Sequence, residues 1–203
     1  INFDRNNVLV VRADASQYEG WFYEGAGIYR HVWLNKYENV HIMQDGVFAG
    51  SAIVSNKAVV NVETSLQNQS AAPSSAVVSV YMTDREGKIV AKSKDQPLTI
   101  AVNRQATAIN NISLVNFRNW TLDDPYLYRV VVEVRVNGKI VDQQKIRYGL
   151  RQIEIKPNGV FLNGQHVKLH GVNNHQDHAG LGSALPDYLQ FYRISLLKRM
   201  GVN

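Results

Sequence analysis

The chain has 203 residues, long enough for one large or two small domains, and 45% of them are apolar, so a sizeable core can be buried. The formal net charge is +5, but no run of five basic residues occurs, which argues against a dedicated nucleic-acid surface. The absence of cysteine excludes disulfides and thiolate chemistry, and no apolar run approaches the roughly 18–20 residues that cross a membrane.

The first 40 residues contain two short stretches that are typical of strands. Residues 8–13 form an apolar run, and residues 28–34 mix β-branched and aromatic side chains. The glycine-rich segment between them, residues 20–27, lacks the lysine and the following helix of a phosphate-binding loop, and it reads as a wide turn. Three aromatic residues of this region either pack the rim of a sandwich or form a platform for a sugar: Trp21, Tyr23 and Trp33.

Between residues 42 and 148 the dominant hydrophobic period is two, which is the period of a strand. Residues 58–66 alternate well, and three of their side chains are expected on one face: Val60, Val62 and Thr64. Asn137-Gly138 follows a strong strand over residues 128–136 and is a typical two-residue hairpin loop. About seven short strands, with turn signals roughly every 8–12 residues, predict an antiparallel β-sandwich.

An aromatic group precedes the strand that begins near residue 128. Tyr126 or Tyr128 is expected to bond back to the backbone as a tyrosine corner, as happens at the start of late strands in sandwiches. Trp120 either plugs a corner of the core or stacks on a sugar ring.

The last fifty or so residues change from antiparallel β to a strand–loop–helix pattern. A short strand is expected at residues 160–162 and another at residues 168–171. Residues 186–200 read as the one convincing helix, with Asp187 in its first turn and Gly201 at the C-terminal cap. One strand–loop–helix unit is typical of the beginning of an α/β domain, but a single unit is too few to form a closed barrel.

The densest polar segment, residues 171–178, lies on the loop between that strand and the helix, where α/β folds place functional groups. His175, His178 and Asp177 allow a metal site only weakly, because such a site needs three or four converging ligands. A Ser-His-Asp catalytic triad is not favoured, because the sequence contains no Gly-x-Ser-x-Gly motif, which forms the sharp turn that presents a nucleophilic serine. Two interpretations stay open: a loop that contacts substrate, and a loop whose polar side chains only satisfy backbone groups.

Five motifs, in this order, resemble glycoside hydrolase family 2, which contains beta-galactosidases, beta-glucuronidases and beta-mannosidases. They are residues 21–34, 120–128, 148–155, 161–175 and 197–203. The resemblance implies a mostly β chain in three parts. These are the end of a jelly-roll sugar-binding domain over residues 1–40, an immunoglobulin-like β-sandwich over residues 41–148, and the start of a (β/α)8 catalytic TIM barrel over residues 149–203.

The resemblance also implies a retaining, beta-galactosidase-like glycosidase acting on terminal β-glycosides, with this chain as a piece of a longer parent. In the family both catalytic glutamates lie on later barrel strands, so the piece alone is expected to be inactive. The family's sugar-contacting histidine corresponds to His175, and Asp177 and Asn174 are the other expected substrate contacts. Asn174 stands where many members carry a basic residue, and Gln176 stands where many carry Glu.

The expected partner is a carbohydrate, with no nucleic acid, no membrane span and no metal or other cofactor, and with an oligomer left open. A parent that degrades polysaccharides favours a periplasmic or extracellular location over a cytoplasmic one. If the chain is cut at both ends, apolar helix residues such as Leu189, Ile194 and Leu197 would be left uncovered. The alternative function is a non-catalytic β-sandwich that binds carbohydrate or spaces domains.

Overall fold

The computed structural model describes residues 1–2, 4–14, 16 and 27–203, and these residues form eleven strands and one helix. The chain divides into two compact units, of which one comprises Ile1–Leu34 and Val172–Gly201 and the other Asn35–Gly171 and Val202–Asn203. The strands, all in the second unit, are β1 (Val40–Val54), β2 (Lys57–Asn68), β3 (Ser74–Thr83), β4 (Ile89–Lys92), β5 (Gln96–Ile100), β6 (Gln105–Val115), β7 (Tyr128–Val136), β8 (Lys139–Tyr148), β9 (Ile153–Lys156), β10 (Gly159–Leu162) and β11 (Gln165–Val167). The helix, α1, spans Asp187–Arg199 in the first unit.

Strands β1 to β8 form two antiparallel sheets that share one apolar core. One sheet has the order β1-β2-β6, and the other has the order β4-β3-β7-β8 with β5 beside β3. Successive side chains of a strand point to opposite faces, so one face of each strand enters the core. The inward face predicted for β2 is confirmed, because Val60, Val62 and Thr64 are all fully buried. Burial of each large apolar side chain contributes roughly 1.5–3 kcal/mol.

Local turn chemistry sets the register of several hairpins. Asn137 and Gly138 have φ angles of 52° and 78° and connect β7 to β8, so the predicted hairpin is confirmed. Positive φ at both central residues is the requirement of a type I′ turn, whose twist matches that of the strands it joins. Asn163 and Gly164, with φ angles of 52° and 78°, make the same connection between β10 and β11.

An irregularity early in β1 was not predicted from the sequence. The pairing with β2 shifts register between Ile42 and Val47. At Gly46 an added Cβ would lie 2.7 Å from the carbonyl oxygen of Met43, so a larger residue cannot adopt this backbone. The backbone N–H of Ile42 donates to Asp142 Oδ2 of β8 at 2.7 Å. The start of β1 therefore contacts the opposite sheet.

Three strand predictions outside the sandwich are wrong. Residues 8–13 and 28–34 are not in strands, and Val8 is 86% exposed. A strand needs a neighbouring backbone to bond with, and within the described residues neither segment pairs with a strand. The strand predicted at residues 168–171 is also absent, since β11 ends at Val167.

The predicted helix is confirmed at both ends. Pro186 has the extended conformation of a residue that precedes a helix, and Asp187 lies in the first turn. Gly201 follows the helix with a φ of 91°, the left-handed conformation that ends many helices. No helix residue is buried within this chain, and Ile194 is 53% exposed. Within the described residues, no helix has the length and apolar composition that crossing a membrane requires.

Candidate functional site

The loop predicted to contact substrate ends, on its C-terminal side, in a tight turn closed by backbone hydrogen bonds. His178 and Gly182 form an isolated bridge, in which each backbone N–H donates to the other residue's carbonyl at 3.0 and 2.9 Å. Gly180 and Gly182 have φ angles of 80° and 60°, which glycine adopts without strain. The Nδ1 atom of His178 lies 2.9 Å from the carbonyl oxygen of Ala179. His178 therefore supports its own turn.

One arginine of α1 binds the centre of this loop. Arg193 Nη1 donates to the carbonyl oxygens of Gln176 and Asp177, each at 3.3 Å. Arg193 Nη2 donates to Asn174 Oδ1 at 2.5 Å and to the carbonyl oxygen of His175. Four acceptors on four successive residues thus share one guanidinium, whose planar fork suits several acceptors at once.

The predicted contact residues differ in their exposure and in their contacts. His175 Nδ1 lies 3.9 Å from Asp177 Oδ1, and the two side chains are 71% and 49% exposed. This pair can offer an imidazole N–H and a carboxylate to a polar ligand. Asn174 instead directs its amide oxygen to Arg193, which leaves its NH₂ group as the donor for a ligand.

A metal centre is not formed by the side chains that the structure describes. Across residues 27–203 and the described parts of the N-terminal segment, no group of three or more His, Asp or Glu residues could hold an ion. His170, His175 and His178 lie within nine residues of sequence but do not form such a group.

The sequence did not predict a second polar pair in the same unit. His31 Nε2 lies 3.2 Å from Asp187 Oδ2, beside a cleft of about 490 Å³ lined by residues 28–31 and 184–187. The His31 ring packs at a tilt against Trp33, with centroids 5.6 Å apart. Trp21 and Tyr23, the other residues of the predicted aromatic platform, lie outside the described residues.

Of the two tyrosines predicted for a tyrosine corner, Tyr128 bonds back to the backbone just upstream, and Tyr126 bonds to the turn between β3 and β4. The backbone N–H of Arg118 donates to the Tyr128 hydroxyl at 2.8 Å, and that of Arg85 donates to the Tyr126 hydroxyl at 3.4 Å. The guanidinium carbon of Arg85 lies 4.6 Å from the centroid of the Tyr126 ring, and that of Arg118 lies 4.7 Å from it. Burial raises the pKa of Tyr128 above its ordinary value.

The contacts of Trp120 favour corner packing over sugar stacking. Its backbone N–H donates to the carbonyl oxygen of Leu150 at 2.8 Å, and Asn163 Nδ2 donates to its carbonyl oxygen at 3.0 Å. The indole ring lies against Gly149, and the guanidinium of Arg151 lies 5.0 Å from the ring centroid.

Two glutamates of the second unit are engaged in ion pairs on its sheets. Glu133 of β7 accepts hydrogen bonds from Arg135, from the Tyr81 hydroxyl at 3.1 Å and from Gln143 at 3.0 Å. Burial and the neighbouring Glu133 raise the pKa of Tyr81. Glu154 lies 2.6 Å from the Lys156 ammonium. Both carboxylates are thus bound by basic side chains of their own strands.

Comparison with known proteins identifies relatives of both units. The family model described as Glycosyl hydrolases family 2 matches residues 40–151. A beta-galactosidase of Bacteroides ovatus is 32% identical over 206 residues, which cover 100% of this chain and 24% of the relative. A beta-glucuronidase of Formosa agariphila is 30% identical over 229 residues, covering 100% of this chain and 23% of the relative. The chain therefore spans about a quarter of the length of these curated relatives.

Solved structures share the fold. A glycosyl hydrolase family 2 member from Bacteroides cellulosilyticus superposes with a TM-score of 0.87 at 28% identity, over 94% of this chain and 26% of that one. A beta-glucuronidase of Bacteroides uniformis, solved covalently bound to cyclophellitol-6-carboxylate aziridine, has a TM-score of 0.79 at 26% identity. That match covers 88% of this chain and 22% of the neighbour.

Proposed function

The chain belongs to glycosyl hydrolase family 2, and on this premise we propose that it is part of a retaining glycoside hydrolase that cleaves terminal β-galactosides. The observation that carries the proposal is its 32% identity, along its whole length, with a beta-galactosidase. A second relative of that name, from Thermoanaerobacter pseudethanolicus, is 28% identical over the whole of this chain and supports the same sugar.

The proposed division of labour follows the three segments predicted from the sequence. Residues 41–148 are an immunoglobulin-like sandwich that joins the end of a jelly-roll domain, residues 1–40, to the start of a (β/α)8 barrel, residues 149–203. The two sheets around one core support the sandwich assignment. The helix α1, which follows the polar loop, supports a βα unit, because each unit of a barrel places a loop and then a helix after its strand.

Within this division, the loop over residues 174–177 forms one lip of a sugar pocket. His175 donates an imidazole N–H to a sugar hydroxyl, and Asp177 and Asn174 bind other hydroxyls. A hydrogen bond that strengthens as the ring flattens towards the charged transition state contributes to rate and not only to binding. The exposure of His175 and Asp177 supports this role.

The reacting carboxylates come from other strands of the parent. A retaining glycosidase places two carboxyl groups about 5–5.5 Å apart, one as nucleophile and one as acid and base. Glu133 and Glu154 are paired with basic residues of their own strands, which supports a structural role for both. This chain supplies the positioning loop, and later barrel strands supply the chemistry.

Assays of the complete polypeptide on chromogenic substrates test the function. We expect hydrolysis of a β-galactoside, little hydrolysis of the α-anomer, and release of galactose that is initially the β-anomer by NMR. Preference for a β-glucuronide would overturn the sugar assignment while leaving a glycosidase. Initial release of the α-anomer would overturn the retaining mechanism, and no hydrolysis of any glycoside would overturn the function.

A second candidate function is a sandwich that binds carbohydrate or spaces domains without catalysis. The observation in its favour is that the family match, residues 40–151, coincides with the sandwich and not with the loop. A complete polypeptide that binds an oligosaccharide in calorimetry but hydrolyses none would support this candidate.

A further inference from the structure

We propose that Arg193 is a positioning residue that holds the loop over residues 174–177 in the conformation that receives the substrate. The inference rests on the proposed function, because it assigns that loop to the sugar pocket. Arg193 belongs to the middle of α1, so its side chain starts from a hydrogen-bonded backbone rather than from another loop.

The geometry gives one guanidinium control of four consecutive residues. Three of its acceptors are backbone carbonyl oxygens, those of His175, Gln176 and Asp177, and the fourth is the side-chain oxygen of Asn174. The four residues carry no regular secondary structure. Binding successive carbonyls restricts the backbone dihedral angles between them, and these angles decide where the His175 and Asp177 side chains point.

The chemistry requires arginine rather than any cation. A guanidinium offers five N–H donors in a rigid plane, so it can bind acceptors on both terminal nitrogens together. A lysine ammonium is a compact charge that reaches one or two of these oxygens at a time. Arg199, six residues further along α1, makes no hydrogen bond to residues 174–177 in the described structure and serves as the matched control.

Loss of the guanidinium is expected to weaken substrate binding more than it slows the chemical step. Without Arg193 the loop samples several conformations. The apparent affinity for substrate then falls in proportion to the fraction of molecules whose loop has the binding-competent conformation. Losing several charge-assisted hydrogen bonds places that effect at roughly tenfold or more. Once bound, the substrate reorders the loop, so kcat is expected to change by less than about threefold.

The experiment compares the wild type with Arg193→Ala, Arg193→Lys and Arg199→Ala in the complete polypeptide. Steady-state kinetics on the β-galactoside give KM and kcat, and hydrogen exchange by mass spectrometry gives the protection of amides 174–178. Methylguanidinium is added at concentrations too low to denature the protein. We expect Arg193→Ala to raise KM, to speed exchange in the loop alone, and to recover KM with methylguanidinium. Arg193→Lys should be intermediate and Arg199→Ala unchanged.

The outcomes separate this inference from the proposed function. An active wild type whose Arg193→Ala variant keeps its KM would overturn the inference and leave the glycosidase intact. Faster exchange along the whole chain, with kcat and KM both impaired and no rescue, would show a merely structural arginine and also overturn it. A wild type without glycosidase activity would overturn the proposed function, and the role of Arg193 in substrate binding with it.

Discussion

At the scale of single residues, buried amides join the two sheets of the sandwich. Asn110 of β6 is 2% exposed, and its Nδ2 lies 3.0 Å from both Ser93 Oγ and the Lys94 carbonyl oxygen, beyond β4 of the opposite sheet. The same Nδ2 also lies 3.4 Å from the buried carbonyl oxygen of Val78 in β3, so all three of its acceptors belong to the opposite sheet or to the segment that follows β4. One side chain thereby fixes the spacing of the sheets at this point.

Asn110→Ala is expected to lower the free energy of unfolding by about 1–3 kcal/mol, because it removes the hydrogen bonds of a buried amide to the opposite sheet. Urea unfolding monitored by fluorescence measures the change. Asn111→Ala is the matched control, since Asn111 is the next residue of β6 and makes its side-chain bond to Asn61 on the exposed face. Surface changes of this kind cost within about 0.5 kcal/mol. Equal destabilisation by both variants would contradict a specific link between the sheets.

Tyr128 makes the free energy of unfolding depend on pH in the alkaline range. Its pKa is raised in the folded protein by burial, from an ordinary value of 10.0. The stabilisation is therefore complete below pH 10 and is lost as the pH rises from there towards the folded pKa, because the unfolded chain releases the proton first. Tyr81 contributes in the same direction, since burial and Glu133 raise its pKa.

Tyr128→Phe is expected to make the loss of unfolding free energy above pH 10 shallower than in the wild type. Near neutral pH the same variant is less stable by about 1 kcal/mol, because the Arg118 N–H loses its acceptor. Urea unfolding at several pH values between neutrality and pH 11 measures both effects. Tyr188→Phe, at a tyrosine 74% exposed on α1, is the control and should follow the wild-type curve. An unchanged slope in Tyr128→Phe would show that another group governs the alkaline decline.

At the scale of elements, the junction after β8 depends on the absence of a side chain. Gly149 follows β8, and a Cβ there would lie 2.8 Å from Cδ1 and 2.9 Å from Cβ of Trp120. These separations are shorter than van der Waals contact, and Trp120 is held by its bonds to Leu150 and Asn163. The tryptophan cannot move without breaking the corner that leads out of the sandwich.

Gly149→Ala is expected to cost about 1–3 kcal/mol of stability, the usual effect of overpacking. Thermal unfolding by circular dichroism gives the shift in midpoint. Gly171→Ala offers the comparison, because nothing lies within 4 Å of the Cβ that it would add. If Gly149→Ala unfolds at the same temperature as Gly171→Ala, the packing of Trp120 is looser than the structure indicates.

Elements with a local signal were predictable from the sequence. The alternation in β2, the Asn137-Gly138 hairpin and the α1 cap at Gly201 each depend on residues adjacent in the chain. The register shift in β1 lies around Gly46, and the bond from the Ile42 N–H to Asp142 joins residues a hundred positions apart, so no nearby pattern predicts that contact. Residues 8–13 have strand composition without a described strand partner, and composition alone could not reveal that difference.

At the scale of the whole molecule, the candidate site was predictable only as a segment. The polar residues 171–178 stand out by composition, and the family resemblance attaches a role to His175. What sequence reasoning missed is Arg193, because a residue sixteen to nineteen positions away reaches the loop only after the chain turns back. The number of residues between an arginine and a loop does not predict a contact unless the course of the intervening chain is known. Here the intervening chain includes the turn at His178 and Gly182.

The chain taken by itself is expected to show no glycosidase activity, whereas the complete polypeptide is expected to hydrolyse the β-galactoside. Retaining catalysis needs two carboxylates in one pocket, and removing such a pair lowers the rate by many orders of magnitude. Glu133 forms an ion pair with Arg135, and Glu154 forms one with Lys156. The family resemblance assigns both reacting glutamates to later strands. The purified 203-residue chain and the complete polypeptide are compared on the same chromogenic substrate. A mock purification from host cells that do not express the chain reveals any contaminating host enzyme. Hydrolysis by the short chain that survives this control, at a rate proportional to its concentration, would place a catalytic pair within it.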